Sequence, residues 1–133
     1  MNSPPADTKF SPPDEETARH LRALLEITRA FRELSPTIPV AYMEAFLVVC
    51  LKPGLGATDY MKDMGTIQPV MSRMLLHLGN KERRKELDES GFQLIDSVPD
   101  RADLRRHRSY LTVKGKRLLN RVVGYTKRLT NGS

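Results

Sequence analysis

A chain of 133 residues with 39% hydrophobic and 29% charged side chains has the material for one buried core, and too little for two independent ones. Its longest apolar run, Ala45 to Leu51, falls far short of the ~20 residues of a membrane helix; the N-terminus lacks a signal-peptide layout, and the lone Cys50 excludes an internal disulfide and fits a reducing cytoplasm. The net charge of +6 is unevenly divided: residues 1–65 hold 7 Lys/Arg against 9 Asp/Glu and residues 66–133 hold 15 against 7, so one half suits a polyanion and the other a protein partner.

Residues 1–13, with four prolines and no periodicity, read as a disordered arm ahead of a single domain over 14–130. Helical spacing begins at Asp14, where "DEE" places acids in a first turn. Leu21, Leu24, Leu25, Thr28 and Phe31 form one apolar stripe, and Ala23, Ile27, Ala30 and Leu34 a second flank. A stripe this wide fits either full burial or a second packing surface. "SPTIP" ends the helix, and "VAYMEAFLVVCL", apolar nearly all round, predicts a buried central helix. "KPGLG" stops that element, and "ATDYMKDMG" predicts a short helix ending on Gly65.

"TIQPVMSRMLLHLG" predicts the next helix, over 66–78, with Thr66 as N-cap and Gly79 as C-cap. At 100° per residue Met71, Met74, Leu75 and Leu78 face inward, while Pro69, Ser72, Arg73, Leu76 and His77 face out, with Gln68 at the exposed start. The outward set carries no acid. Gln and Arg can pair with base edges, and helix N-terminal amides can meet phosphate. "NKERRKELDESG" predicts a charged surface helix, with Lys81, Arg83, Arg84 and Lys85 available to a polyanion. "FQLIDSV" and "SYLT" read as paired strands around the basic loop "PDRADLRRHR". A final helix carries Leu118, Leu119, Val122, Val123, Thr126 and Leu129 on one face. The fold class expected is mostly α with a small β-hairpin, the layout of a winged helix-turn-helix.

Two motifs then carry a resemblance. Gly65, Gln68, Met71, Ser72, Arg73 and Leu75 match the second helix of many bacterial helix-turn-helix repressors, with Gly65 in the left-handed turn. Asp103-x-Arg105, five residues, then Leu111-Thr112-x-x-Gly115, resembles the wing signature of the MarR family of winged helix transcription regulators. That resemblance implies a homodimer, joined through helices 14–34 and 114–129, on a pseudo-palindromic double-stranded DNA site. It places helix 66–78 in the major groove and wing 99–108 at the minor groove. It further implies that Arg105 reaches into the minor groove while Asp103 holds the wing, and it leaves room for a small-molecule effector. Arg101, Arg106 and Arg108 would meet phosphates, Leu111 would anchor the second strand, and Thr112 would cap the last helix. The chain departs from the family's pattern in the charged insertion at 80–90 and in a short closing helix.

The DNA-facing set is therefore Thr66, Gln68, Pro69, Ser72, Arg73, His77, Arg101, Asp103, Arg105, Arg106 and Arg108. A winged helix used as a protein-interaction or assembly module is the competing reading, since fold does not fix function. RNA binding fits less well, because only Phe92 and Tyr110 lie near the hairpin as stacking aromatics. No enzyme, metal or cofactor is expected. His20, His77 and His107 stand apart, and "KPGLGAT" lacks the Lys-Ser/Thr of a phosphate loop. Cys50, inside an apolar run, is expected to be a buried inert thiol rather than a redox sensor.

Overall fold

The computed structural model describes residues 11–80 and 91–130. Residues 1–10 of the expected arm and residues 81–90 of the charged segment lie outside the described residues. Seven elements follow in order: α1 (Glu15–Arg32), α2 (Val40–Leu51), α3 (Ala57–Met64), α4 (Gln68–Leu78), β1 (Ile95–Pro99), β2 (His107–Leu111) and α5 (Val113–Thr130). This is a helix-turn-helix followed by a two-stranded wing, as the sequence pattern predicts.

Local chemistry sets most of the boundaries. The Asp14 carboxylate accepts the Thr17 amide at 2.7 Å and so caps α1, with Glu15 and Glu16 in the positive first turn. Gly65 closes α3 at φ +65°, the left-handed conformation that favours glycine. Gly79 ends α4, and Thr112 caps α5, its hydroxyl accepting the Gly115 amide at 2.9 Å. Thr66, by contrast, does not cap α4. Ile67 holds the N-cap position without a side-chain bond, and the Thr66 amide instead donates to Met61 O at 3.1 Å, finishing α3. The tight glycine turn uses up the residue that would have capped the next helix.

The core forms where α1, α2, α3, α4, α5 and the approach to β1 meet, around Phe31, Phe46, Val49, Tyr60, Met71, Leu78 and Leu94. Phe31 and Phe46 meet edge to face at 5.9 Å. Two expectations about burial change. Of the apolar residues of α1, Ala23, Ala30 and Phe31 go inward, while Leu21, Leu24 and Leu25 stay in solvent, Leu24 at 59% exposure. Nor is α2 buried all round. Ala45, Phe46 and Val49 are covered, but Val40 and Leu51 remain 76% and 80% exposed. A helix packed on one side covers one face, however apolar the rest of its circumference.

The wing strands pair antiparallel with Ile95 opposite Leu111, Ser97 opposite Ser109 and Pro99 opposite His107. The first strand starts later than "FQLIDSV" predicts. Residues 92–94 are drawn onto the end of α4, where the Phe92, Gln93 and Leu94 amides donate to His77, Gly79 and Leu78 carbonyls at 2.9, 2.7 and 2.8 Å. Gln93 takes φ +59° to make that turn. On its other edge β2 is tied to the loop after α2: Gly54 N donates to Ser109 O at 2.7 Å and Ser109 N to Leu55 O at 2.9 Å. The wing is thereby braced to both ends of the helix-turn-helix. Gly115 is a packing requirement of that brace, because a Cβ there would stand 2.1 Å from Leu94 O.

Candidate nucleic-acid interface

The second helix of the helix-turn-helix is α4. Met71, Met74, Leu75 and Leu78 are buried, so the inward stripe lies where helical spacing puts it. On the other side Gln68, Pro69, Arg73 and Leu76 are exposed and Ser72 is half-buried. Gln68 Nε2 donates to Ser72 Oγ at 2.9 Å, which ties the amide along the helix. The helix contains no acidic residue. Its first turn has no side-chain cap, so its N-terminal amides are open to an anion.

His77 departs from the outward set. Its ring is half-buried, and Nδ1 is hydrogen-bonded to the Tyr42 hydroxyl of α2, the two rings lying 5.8 Å apart. The wheel puts residue 77 on the outward side, but α2 passes beside the end of α4 and takes up the imidazole. Thr66 is half-buried in the turn before α4 rather than on the helix.

Across a cleft of about 420 Å³ stands the wing. Gln68, Ser72 and Leu76 line one side, Arg105, Arg106 and Arg108 the other, and Gly56 to Asp59 the floor at the start of α3. The structure therefore brings the two motifs of the sequence, thirty residues apart, to one cleft. Arg101 and Arg106 are exposed, and the Arg105 side chain is 91% exposed. Asp103 holds the tip: Oδ1 accepts the Arg105 amide at 3.1 Å and Arg105 Nε at 3.2 Å, and its carbonyl accepts the Arg106 amide at 2.9 Å. Arg108 is placed differently. Its Nε donates to Asp100 Oδ2 at 3.2 Å, and Nη2 pairs with the same oxygen at 3.1 Å. The Ala102 amide and the Arg108 guanidinium hold the Asp100 carboxyl below the usual carboxylate range. In turn Asp100 holds Arg108 more firmly in its charged form.

Asp100 and Tyr42 are the participants that sequence reasoning missed. The signal for Asp100 was there, since an Asp directly after Pro99 invites a turn in which its side chain accepts the amide two residues on. Tyr42 gave none, because its partner lies 35 residues away. Cys50 is half-buried in α2, and burial pushes its thiol up to about 11, so the reactive thiolate is scarce near neutral pH. Among the described residues no group of His, Cys, Asp and Glu could hold a metal ion, and no helix is long and apolar enough to cross a membrane.

No protein-family description matches the chain, and no curated protein is similar in sequence. Solved structures are similar in fold. A MarR-like transcriptional regulator from Thermotoga maritima superposes with a TM-score of 0.57 at 18% identity, over 92% of this chain and 81% of that one. The transcriptional repressor CouR, bound to a 23-mer DNA duplex, gives 0.52 at 17% identity, over 96% and 80%. BpsR of Bordetella bronchiseptica, whose DNA binding is regulated by 6-hydroxynicotinic acid, gives 0.50 at 17% identity, over 92% and 83%. The chain thus has the winged helix-turn-helix fold seen in structures of MarR-family regulators.

Proposed function

We propose that this protein is a sequence-specific, double-stranded DNA-binding transcription regulator of the repressor type, acting as a homodimer on a pseudo-palindromic operator. The observation that carries the reading is the shared cleft: Gln68, Ser72 and Leu76 of the acid-free helix α4 line one side and Arg105 and Arg106 of the wing the other, with Arg73 and Arg101 exposed on the same helix and wing. In this reading α4 enters the major groove, where Arg73 and Gln68 reach base edges. Arg105 extends from the wing into the adjacent minor groove, where a narrow groove concentrates negative potential. Arg101 and Arg106 meet phosphates.

The exposed stripe Leu21, Leu24 and Leu25 on α1 supports dimerisation, since a second copy would cover it. An effector reading rests on a separate groove of about 470 Å³ between α1 and α5, lined by Arg19, Arg22, Arg29, Tyr125 and Arg128, with Glu26 beside Arg29. Its cations and ring suit a small organic anion, and a ligand there would act on the dimer contact and through it on half-site spacing. DNA binding of this kind belongs in the cytoplasm.

Selection from a random duplex pool at two salt concentrations tests the reading. The expected product is an inverted repeat with half-sites roughly 10 bp apart, bound with steep salt dependence. Weak, salt-insensitive binding with no enriched sequence would instead assign the fold to a protein partner.

A further inference from the structure

We propose that Asp100 is a positioning residue that sets the wing's sequence discrimination: by pairing with Arg108 it withdraws one cation from the phosphate-binding set and fixes the loop that carries Arg105 and Arg106. The inference rests on the DNA-binding reading above and assigns a role inside it.

One residue fastens this loop at both of its ends. The Asp100 amide donates to Arg106 O at 2.8 Å, closing residues 101–106 against the end of the hairpin. Its Oδ1 accepts the Ala102 amide at 2.9 Å, bending the chain at the loop's start. Its Oδ2 accepts Arg108 Nε, on the returning strand, at 3.2 Å and pairs with Nη2 of the same guanidinium at 3.1 Å. The charge-assisted bond from Nε, with Nη2 beside the same oxygen, ties the returning strand to the loop's start. The Asp100 side chain is only 14% exposed, against 37% for Asp103 and 91% for Arg105. The sheltered carboxylate is therefore the less screened of the two that shape the wing. Asp103 orders Arg105 locally, and Asp100 orders the loop on which Asp103 and Arg105 stand.

A loop held in its bound shape loses less conformational freedom on binding, and the wing then prefers base pairs whose groove fits that shape. A released loop follows any backbone. Loss of Asp100 also removes one negative charge and frees Arg108, so attraction to phosphate rises as discrimination falls. Those opposite signs separate positioning from a merely structural role, in which both would fall together.

The test compares wild type, Asp100→Ala, Asp100→Asn and Asp96→Ala on the duplex enriched by wild-type selection. Each is also measured on a duplex of equal length whose wing-facing flanks are scrambled, at two salt concentrations. Asp96 lies on β1 and carries the same charge without tying the loop, so its variant isolates the effect of charge. Asp100→Ala is expected to lower the preference for the native flank about tenfold. On scrambled flanks its affinity should hold or rise, with a salt slope steeper by up to about one phosphate. Asp100→Asn keeps an acceptor for the Ala102 amide and should fall between, and Asp96→Ala should keep the wild-type preference. An Asp100→Ala protein with undiminished flank preference overturns the inference and leaves the DNA reading intact. So does an equal loss on both duplexes, or an Asp96→Ala protein that loses preference as much. Absence of any flank preference in the wild type overturns the reading and the inference together.

Discussion

Around the cleft, α4 and the wing present Arg73, Arg105 and Arg106 to solvent, while α1 presents Leu21, Leu24 and Leu25. Both surfaces are uncovered in the single chain, yet they are prepared in opposite ways. The cationic surface is held by hydrogen bonds: Asp103 to Arg105, Asp100 to Arg108, and Gln68 to Ser72. The leucine surface has only the rigidity of the helix beneath it, which packs on α5 and buries Ala23, Ala30 and Phe31. Directional bonds suit a partner with fixed acceptor positions, and a smooth apolar stripe suits a partner that needs only to exclude water. The first surface should answer to salt and the second should not.

The seam joining the surfaces offers the largest effect. Gly115 sits where α5 crosses the start of the wing, and an added Cβ would lie 2.1 Å from Leu94 O. Gly115→Val should destabilise the fold by about 3 kcal/mol or more, beyond ordinary overpacking because backbone must move. Urea denaturation would measure it, and a wild-type midpoint would remove the seam from the account. Next comes the leucine surface. Leu21→Glu with Leu24→Glu should leave the fold intact, yield a monomer in sedimentation, and weaken operator binding about 10²–10⁴-fold through lost bivalency. A variant that still sediments as a dimer would move the interface elsewhere.

On the cationic surface the effects are smaller and differ in kind. Arg73→Ala should cost about 1–3 kcal/mol and relax preference at one base pair, whereas Arg106→Ala should weaken all sequences alike and lower the salt slope by about one. Identical behaviour of the two would erase the division into base and phosphate contacts. The smallest effect concerns acid. The Thr17 amide lowers the Asp14 carboxyl below its ordinary value of 3.8. A depressed carboxylate contributes stability that is complete above the ordinary value and is lost as pH falls through the depressed one. Asp14→Ala should therefore be slightly less stable at pH 7 and indistinguishable from wild type at strongly acid pH, as thermal melts across that range would show.

Much of this organisation was legible in the sequence, and particular residues explain why. The buried stripe Met71, Met74, Leu75 and Leu78, the left-handed Gly65 and the Thr112 cap are consequences of spacing and backbone conformation within a few residues. For the same reason the order of the five helices and one hairpin among the described residues, and the basic composition of the wing, followed from sequence alone. Other features depend on which surfaces meet. The wide apolar face of α1 was visible, but only packing against Phe46 and α5 decided that Phe31 turns inward and Leu24 outward. The wheel gave His77 an outward direction, and the passage of α2 gave it Tyr42 instead. Arg108 read as a phosphate contact, and that Asp100 stands 3.1 Å from its guanidinium only the hairpin shows. Periodicity, caps and turns arise from forces acting along the chain, so the sequence determined them; the partner of a side chain arises between segments brought together by the core, and that only the tertiary structure decided.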